Sequence, residues 1–228
     1  MRINKFISET GICSRREADK LIEAEKVTIN GSFAKLGSTV ELGDEVLVNG
    51  KPVGVKKKSD YIVLNKPVGI TCTTEKHIEG NIVDFINYPE RIFPIGRLDK
   101  DSQGLIMLTN DGDIVNRLLR SENEHEKEYI VSVNKRITSA FIEKMSSGVD
   151  ILDAKTKPCK VIPVNNRVFS IVLTQGLNRQ IRRMCSALGY HVVQLERIRI
   201  MNIKINGLKI GQWRKVTNEE LHELFEKL

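Results

Sequence analysis

The chain has 228 residues, 40% of them apolar, with a mean hydropathy of −0.24 and a formal net charge of +7. That length buries the core of a medium-sized domain and a smaller companion, and no apolar run approaches a membrane span, so a globular protein that does not enter membranes is expected. The basic balance favours acidic partners, while Cys13, Cys72, Cys159 and Cys185 are scattered without CxxC spacing, which argues against a zinc ribbon or a secreted disulfide framework. The opening residues lack the uninterrupted apolar segment of a secretory leader, so reduced thiols in a cytoplasm are expected.

Ile3, Phe6 and Ile7 recur at helical spacing, and Gly11 breaks the run. Ser14 and Glu17 fit a capping box that opens a second helix, whose buried stripe is Ala18, Leu21 and Ile22. Arg15 and Arg16 fall in its first turn, where the helix dipole disfavours cations; an anionic partner explains them, and so do two solvated arginines. Short strands at 27–30 and 45–48, divided by glycine turns, complete a small domain over 1–50. Residues 51–59 combine Pro52, Gly54 and a lysine run without period and read as a linker. From Tyr61 strands at 61–64, 105–109, 129–133 and 168–174 are interspersed with helices, which predicts an α+β body over 60–228. Thr217 and Glu220 open a last helix with Leu221, Leu224, Phe225 and Leu228 on one apolar face. GxxxxGK[ST], GxGxxG and HExxH patterns are all missing, so chemistry without cofactor or metal is expected.

The reactive candidates converge on two segments. Gly96-Arg97-Leu98-Asp99-Lys100-Asp101-Ser102-Gln103-Gly104-Leu105 is a glycine-bounded loop that presents a carboxylate among basic residues. On spacing alone, Asp99 or Asp101 equally suits the capping of a turn. Residues 154–195 carry no Asp or Glu, yet include Lys155, Lys157, Lys160, Arg167, Arg179, Arg182 and Arg183. On a helical wheel starting after Gly176, Ile181, Met184, Cys185 and Leu188 share the buried face. Arg182 falls on its boundary, able to pair with a cleft carboxylate, while Arg179 and Arg183 point outward, suited to phosphates.

Leu64-Asn65-Lys66-Pro67, Gly96-Arg97-Leu98-Asp99, Lys127-Glu128-Tyr129 and Gly176 through Met184 resemble, in order and spacing, the motifs of RNA pseudouridine synthases. Residues 1–50 resemble the alpha-L (S4-like) RNA-binding domain often fused in front of them. Within the family the chain is most similar to synthases of ribosomal RNA, although Ser102-Gln103 departs from the usual Thr-Ser. The resemblance implies a mixed, mainly antiparallel catalytic sheet and isomerisation of a uridine in large-subunit ribosomal RNA, with small-subunit RNA or a non-catalytic assembly factor as alternatives. It implies Asp99 as the catalytic aspartate, Tyr129 as the active-site tyrosine, and Arg182 as the aspartate's basic partner. Arg97 is the candidate to fill the gap left by an extruded base, and Arg15, Arg16, Arg179 and Arg183 are RNA-binding candidates. The implied partner is a structured ribosomal RNA stem-loop with a flipped uridine, with transfer RNA as a further candidate, bound by a monomer.

Overall fold

The structure, a computed structural model, describes residues 1–54, 58–119, 124–152 and 154–228. The chain divides into two compact units, one of residues 1–60 with 89–91 and 110–112, the other of the remainder. In the first, helices α1 (Ile3–Glu9) and α2 (Arg15–Glu23) pack with strands β1 (Val27–Ile29), β2 (Ser32–Phe33), β3 (Val46–Val48) and β4 (Lys51–Pro52), ordered β2-β1-β3-β4. Ser14 accepts from the Glu17 amide while the Glu17 side chain accepts from the Ser14 amide, so the capping box forms in full. Ile3, Ile7, Ala18, Ile22 and Val27 meet in this unit's core. Two residues expected in the linker, Lys51 and Pro52, instead pair with Val48 and Leu47. Proline is tolerated there because β4 is an edge strand and need not donate on its open side. Val55-Lys56-Lys57 of the expected linker lie outside the described residues.

The second unit is built on one large sheet. Its strands are β5 (Tyr61–Lys66), β6 (Phe93–Pro94), β7 (Gln103–Thr109), β8 (Lys127–Val133), β11 (Lys160–Asn165), β12 (Val168–Leu173), β13 (Val192–Ile200), β14 (Ile203–Lys204) and β15 (Trp213–Lys215). The order is β11-β12-β8-β13-β7-β5-β15, with β6 on β7 and β14 on β13, and a separate small pair joins β9 (Asp150–Ile151) to β10 (Ala154–Lys155). Among the described residues, every strand pairing in the large sheet is antiparallel except that of β13 with β7. Helices α3 (Ile82–Ile86), α4 (Gly112–Leu119), α5 (Ser139–Ser147), α6 (Gln180–Ala187) and α7 (Asn218–Glu226) accompany it.

Strands β5 and β7 are buried on both faces. Ile62, Leu64, Ile106 and Leu108 enter one core cluster, while Tyr61, Val63, Leu105 and Met107 enter another. Alternate residues of a strand point to opposite faces, so a strand with both faces covered is apolar throughout. The closing helix α7 has the expected capping box, and buries Leu224 completely. Phe225 stays 39% exposed and meets the Tyr61 ring edge to face. Among the described residues no helix is long and apolar enough to cross a membrane.

Candidate active site

The loop between β6 and β7 carries Asp99 and is held from both sides. Leu98 is buried, and its amide donates to the Cys72 Sγ at 3.4 Å. Beyond it, the Ser102 amide donates to the Asp99 carbonyl at 3.0 Å, and the Gly69 amide to the Lys100 carbonyl at 2.8 Å. A buried leucine next to a surface aspartate is what alternation along an extended loop produces: one side chain anchors, and the next is presented. The Asp99 side chain is 35% exposed. Where the loop joins β7, a Cβ on Gly104 would lie 2.3 Å from the Arg197 carbonyl oxygen, and φ is +110°. Only glycine lets β7 and β13 approach this closely in parallel.

Arg182 reaches a cleft carboxylate as the helical wheel expects, but that of Asp101 and not that of Asp99, the partner the resemblance implies, while Arg179 departs from the wheel. Arg182 does not form an ion pair with Asp99. Its Nη2 donates to the Asp101 carbonyl at 2.8 Å and to the Ser102 hydroxyl at 3.0 Å. Its Nε stands 3.6 Å from the Asp101 carboxylate, within ion-pair range but beyond a hydrogen bond. The arginine near the Asp99 carboxylate is Arg179, at 3.9 Å, and the same guanidinium grips Asp101 through two bonds of 3.2 and 2.8 Å. Arg179 is the N-cap of α6 with φ of 50°, so it lies outside the regular helix and the wheel does not govern its direction. The Arg179 bonds hold the Asp101 carboxyl below its ordinary value. Arg183 turns back on its own loop, donating to the Asn178 carbonyl at 3.0 Å and side-chain oxygen at 3.1 Å.

These two segments and the strand faces of β7, β8 and β13 enclose a cavity of about 780 Å³. Asp99, Tyr129, Arg182, Arg97 and Arg179 all line it. On β8, Lys127 and Tyr129 are two residues apart and both reach the cavity, whereas Glu128 between them bonds Ser170 and Arg199 elsewhere. Tyr129 also packs against the main core cluster, so its ring is held rather than free. Arg15 and Arg16 lie exposed in the first turn of α2, in the other unit, and line none of this cavity.

Sequence reasoning missed two cationic members of the wall. Arg197 on β13 is only 4% exposed; its Nε donates to the Leu105 carbonyl at 2.6 Å and its Nη1 to the Arg97 carbonyl at 3.4 Å, while its Nη2 is buried without a partner. Lys127 donates to the His125 carbonyl at 3.1 Å, and burial, then the neighbouring Arg197, push its ammonium below its ordinary value. Nearby, Lys66 of the Asn-Lys-Pro motif is fully buried with its Nζ bonded to the carbonyls of Pro67 and Ile70, each at 2.9 Å. Desolvation lowers its value as well. A basic residue closing an apolar strand was the available signal for Lys66, and it marks a buried cation with backbone partners, whereas Arg197 stands among Gln194, Glu196 and Arg199 and offered no such signal. Among the described residues no group of three or more His, Cys, Asp or Glu side chains is arranged to hold a metal ion.

Comparisons with known proteins agree with this architecture. Residues 60–187 match the RNA pseudouridylate synthase family, and residues 1–46 match the S4 domain. The chain is 57% identical to the dual-specificity RNA pseudouridine synthase RluF of Salmonella typhi over 227 residues, covering 99% of this chain and 78% of the relative. It is 34% identical to ribosomal large subunit pseudouridine synthase B of Bacillus subtilis over 232 residues, covering 98% and 95%. A crystal structure of a pseudouridylate synthase superposes with a TM-score of 0.72 at 29% identity, covering 98% of this chain and 99% of the other. With an S4 domain ahead of a mainly antiparallel sheet and a cavity walled by the motif residues, the chain belongs to the RNA pseudouridylate synthase family.

Proposed function

We propose that the chain isomerises uridine to pseudouridine in large-subunit ribosomal RNA, with Asp99 as the reacting carboxylate. The observation that carries the reading is the single cavity shared by Asp99, Tyr129 and Arg182 beneath an arginine-rich loop. In the reaction the C1′–N1 bond breaks, the uracil turns in place, a C1′–C5 bond forms, the C5 hydrogen leaves as a proton and N1 gains one. A carboxylate serves this chemistry either as a nucleophile toward the sugar carbon or as a base toward the ribose, and both routes require Asp99.

Tyr129 faces the same space, held by core packing, with a ring suited to stack on the everted base and a hydroxyl placed to take part in removing the C5 proton. Arg182, bonded to the backbone at Asp101 and the Ser102 hydroxyl, holds the loop that presents the aspartate. The target atoms of a stacked nucleotide are hidden, so the uridine must leave its stack, a step that costs a few kcal/mol of RNA structure. Arg97, exposed beside the cavity, is the side chain suited to occupy the gap, because a planar guanidinium stacks where a base was. Arg179 supplies charge toward the incoming phosphates, and the S4 domain, through Arg15 and Arg16, positions the RNA. Two relatives are named dual-specificity RNA pseudouridine synthases, a name that fits a second RNA substrate, and transfer RNA is our candidate for it.

The test is tritium release from large-subunit ribosomal RNA transcribed with C5-tritiated uridine. Wild-type chain should release tritium, and Asp99→Asn should release none while binding the RNA as before. A wild-type chain that binds the RNA without release would identify an assembly factor instead, and an active Asp99→Asn would remove the aspartate from its role.

A further inference from the structure

Arg197 has no place in the reading above, yet it is only 4% exposed and its Nη2 is buried without a partner. It sits on β13 between Tyr129 of β8 on one side and Gly104 of β7 on the other. Its side chain is buried, and among the described residues no carboxylate lies within ion-pair distance of it. What it has instead are two backbone oxygens. Nε donates to Leu105, six residues after Asp99, and Nη1 to Arg97, two residues before it. One rigid group therefore bonds both ends of the span that presents the carboxylate.

We infer that Arg197 is a positioning residue for the isomerisation, a clamp whose two carbonyl contacts fix the Asp99 loop against β13. The inference rests on Asp99 being the reacting carboxylate. Packing alone does not account for Arg197. A buried cation without an acidic partner is expensive to desolvate, and apolar replacements of buried charges commonly leave a fold as stable or more so. Arginine is also the side chain whose geometry suits the task, because its planar fork offers separated donors in fixed directions, whereas lysine concentrates all its donors on one atom at the end of a flexible stem. The neighbouring cations are tied elsewhere, Lys66 to Pro67 and Ile70, and Lys127 to His125, so neither replaces the clamp. Gly104 completes the arrangement: the approach it permits brings the Arg197 backbone against the start of β7, within reach of Leu105.

Loosening the clamp should leave RNA binding intact and misplace the carboxylate, and a displacement of about 1 Å in a reacting group lowers turnover by up to roughly 100-fold. The experiment measures tritium release from C5-tritiated large-subunit ribosomal RNA by full-length wild type, Asp99→Asn, Arg197→Gln and Arg197→Lys, with thermal melts of each. Arg197→Gln should lose roughly 10- to 100-fold in kcat with KM within about twofold. Arg197→Lys should melt cooperatively and regain only part of that loss, showing that the fork matters beyond the charge. Wild-type kcat in a folded variant, or a raised KM at unchanged kcat, would overturn the inference. If only the glutamine variant unfolds, the lysine variant decides by the same criteria, and loss of cooperative melting in both would assign Arg197 to the fold and overturn the clamp. An inactive wild type, or an active Asp99→Asn, would instead sink the functional reading, and this inference with it.

Discussion

Gly104→Ala offers the sharpest test of how β7 meets β13. The added Cβ would stand 2.3 Å from the Arg197 carbonyl oxygen and 2.6 Å from its nitrogen, and ordinary contact begins near 3.4 Å, so about 1.1 Å must be recovered at the oxygen. The obstacle is backbone, not a flexible side chain, and β13 is confined between β7 and β8, so neither strand yields alone. Forced overpacking of this kind costs about 1–3 kcal/mol. Alanine at a φ of +110° adds strain of about 1–3 kcal/mol, for about 2–6 kcal/mol in all. For a chain of this size each kcal/mol lowers Tm by about 2–4 °C. Thermal unfolding followed by circular dichroism should therefore show Gly104→Ala melting at least about 4 °C below wild type. Gly176→Ala, where the new methyl meets nothing within 4 Å, should stay within about 2 °C. Since Arg197 moves with its backbone, kcat should fall together with stability. A Gly104→Ala protein that melts within about 2 °C of wild type would refute the argument that this close approach requires glycine.

Three further outcomes follow from the geometry. Arg182→Ala removes bonds to the Asp101 carbonyl and the Ser102 hydroxyl, and should cut kcat/KM by about 10- to 100-fold, or about 1–3 kcal/mol; Arg179→Ala, at the more exposed position, should cost less in kcat, and steady-state kinetics showing the reverse order would overturn the assignment. Replacing both Arg15 and Arg16 by alanine should weaken RNA binding and reduce the slope of log K against log salt by about 1.4 to 1.8, read by filter binding; an unchanged slope would remove both from the RNA interface. Glu220 accepts two bonds from Arg214, of 2.7 and 2.8 Å, which hold its carboxyl below the ordinary 4.5. The depressed folded-state value means that this stabilisation is complete above pH 4.5 and is lost as pH falls through the lower value. Glu220→Gln, which keeps the capping geometry, should lower stability at pH 7 and flatten the acid limb of the stability profile below pH 4.5 in denaturant titrations. An acid limb as steep as that of wild type would count against the pair.

The amino-acid sequence alone determined the elements whose signals are local. Capping boxes at Ser14 and Thr217 need only residues three apart, and both helices begin where those pairs stand. The apolar runs of β5 and β7 were equally legible, because strands covered on both faces have no polar side to disguise them. The motif order likewise marked Asp99, Tyr129 and Arg182 before any fold was known, and all three line one cavity. Tertiary structure decided what depends on partners distant in the chain. β13 was not legible as a strand, since its charged residues hide the period, yet it is the parallel neighbour of β7 and carries Arg197 into the wall. The arginine nearest Asp99 was also beyond a helical wheel: Arg179 adopts a left-handed conformation outside the helix, and its carboxylate partners lie some eighty residues away. Periodicity reports which face of an element is apolar; which charged groups meet across the fold is set by strand order and loop closure, to which residue spacing is blind.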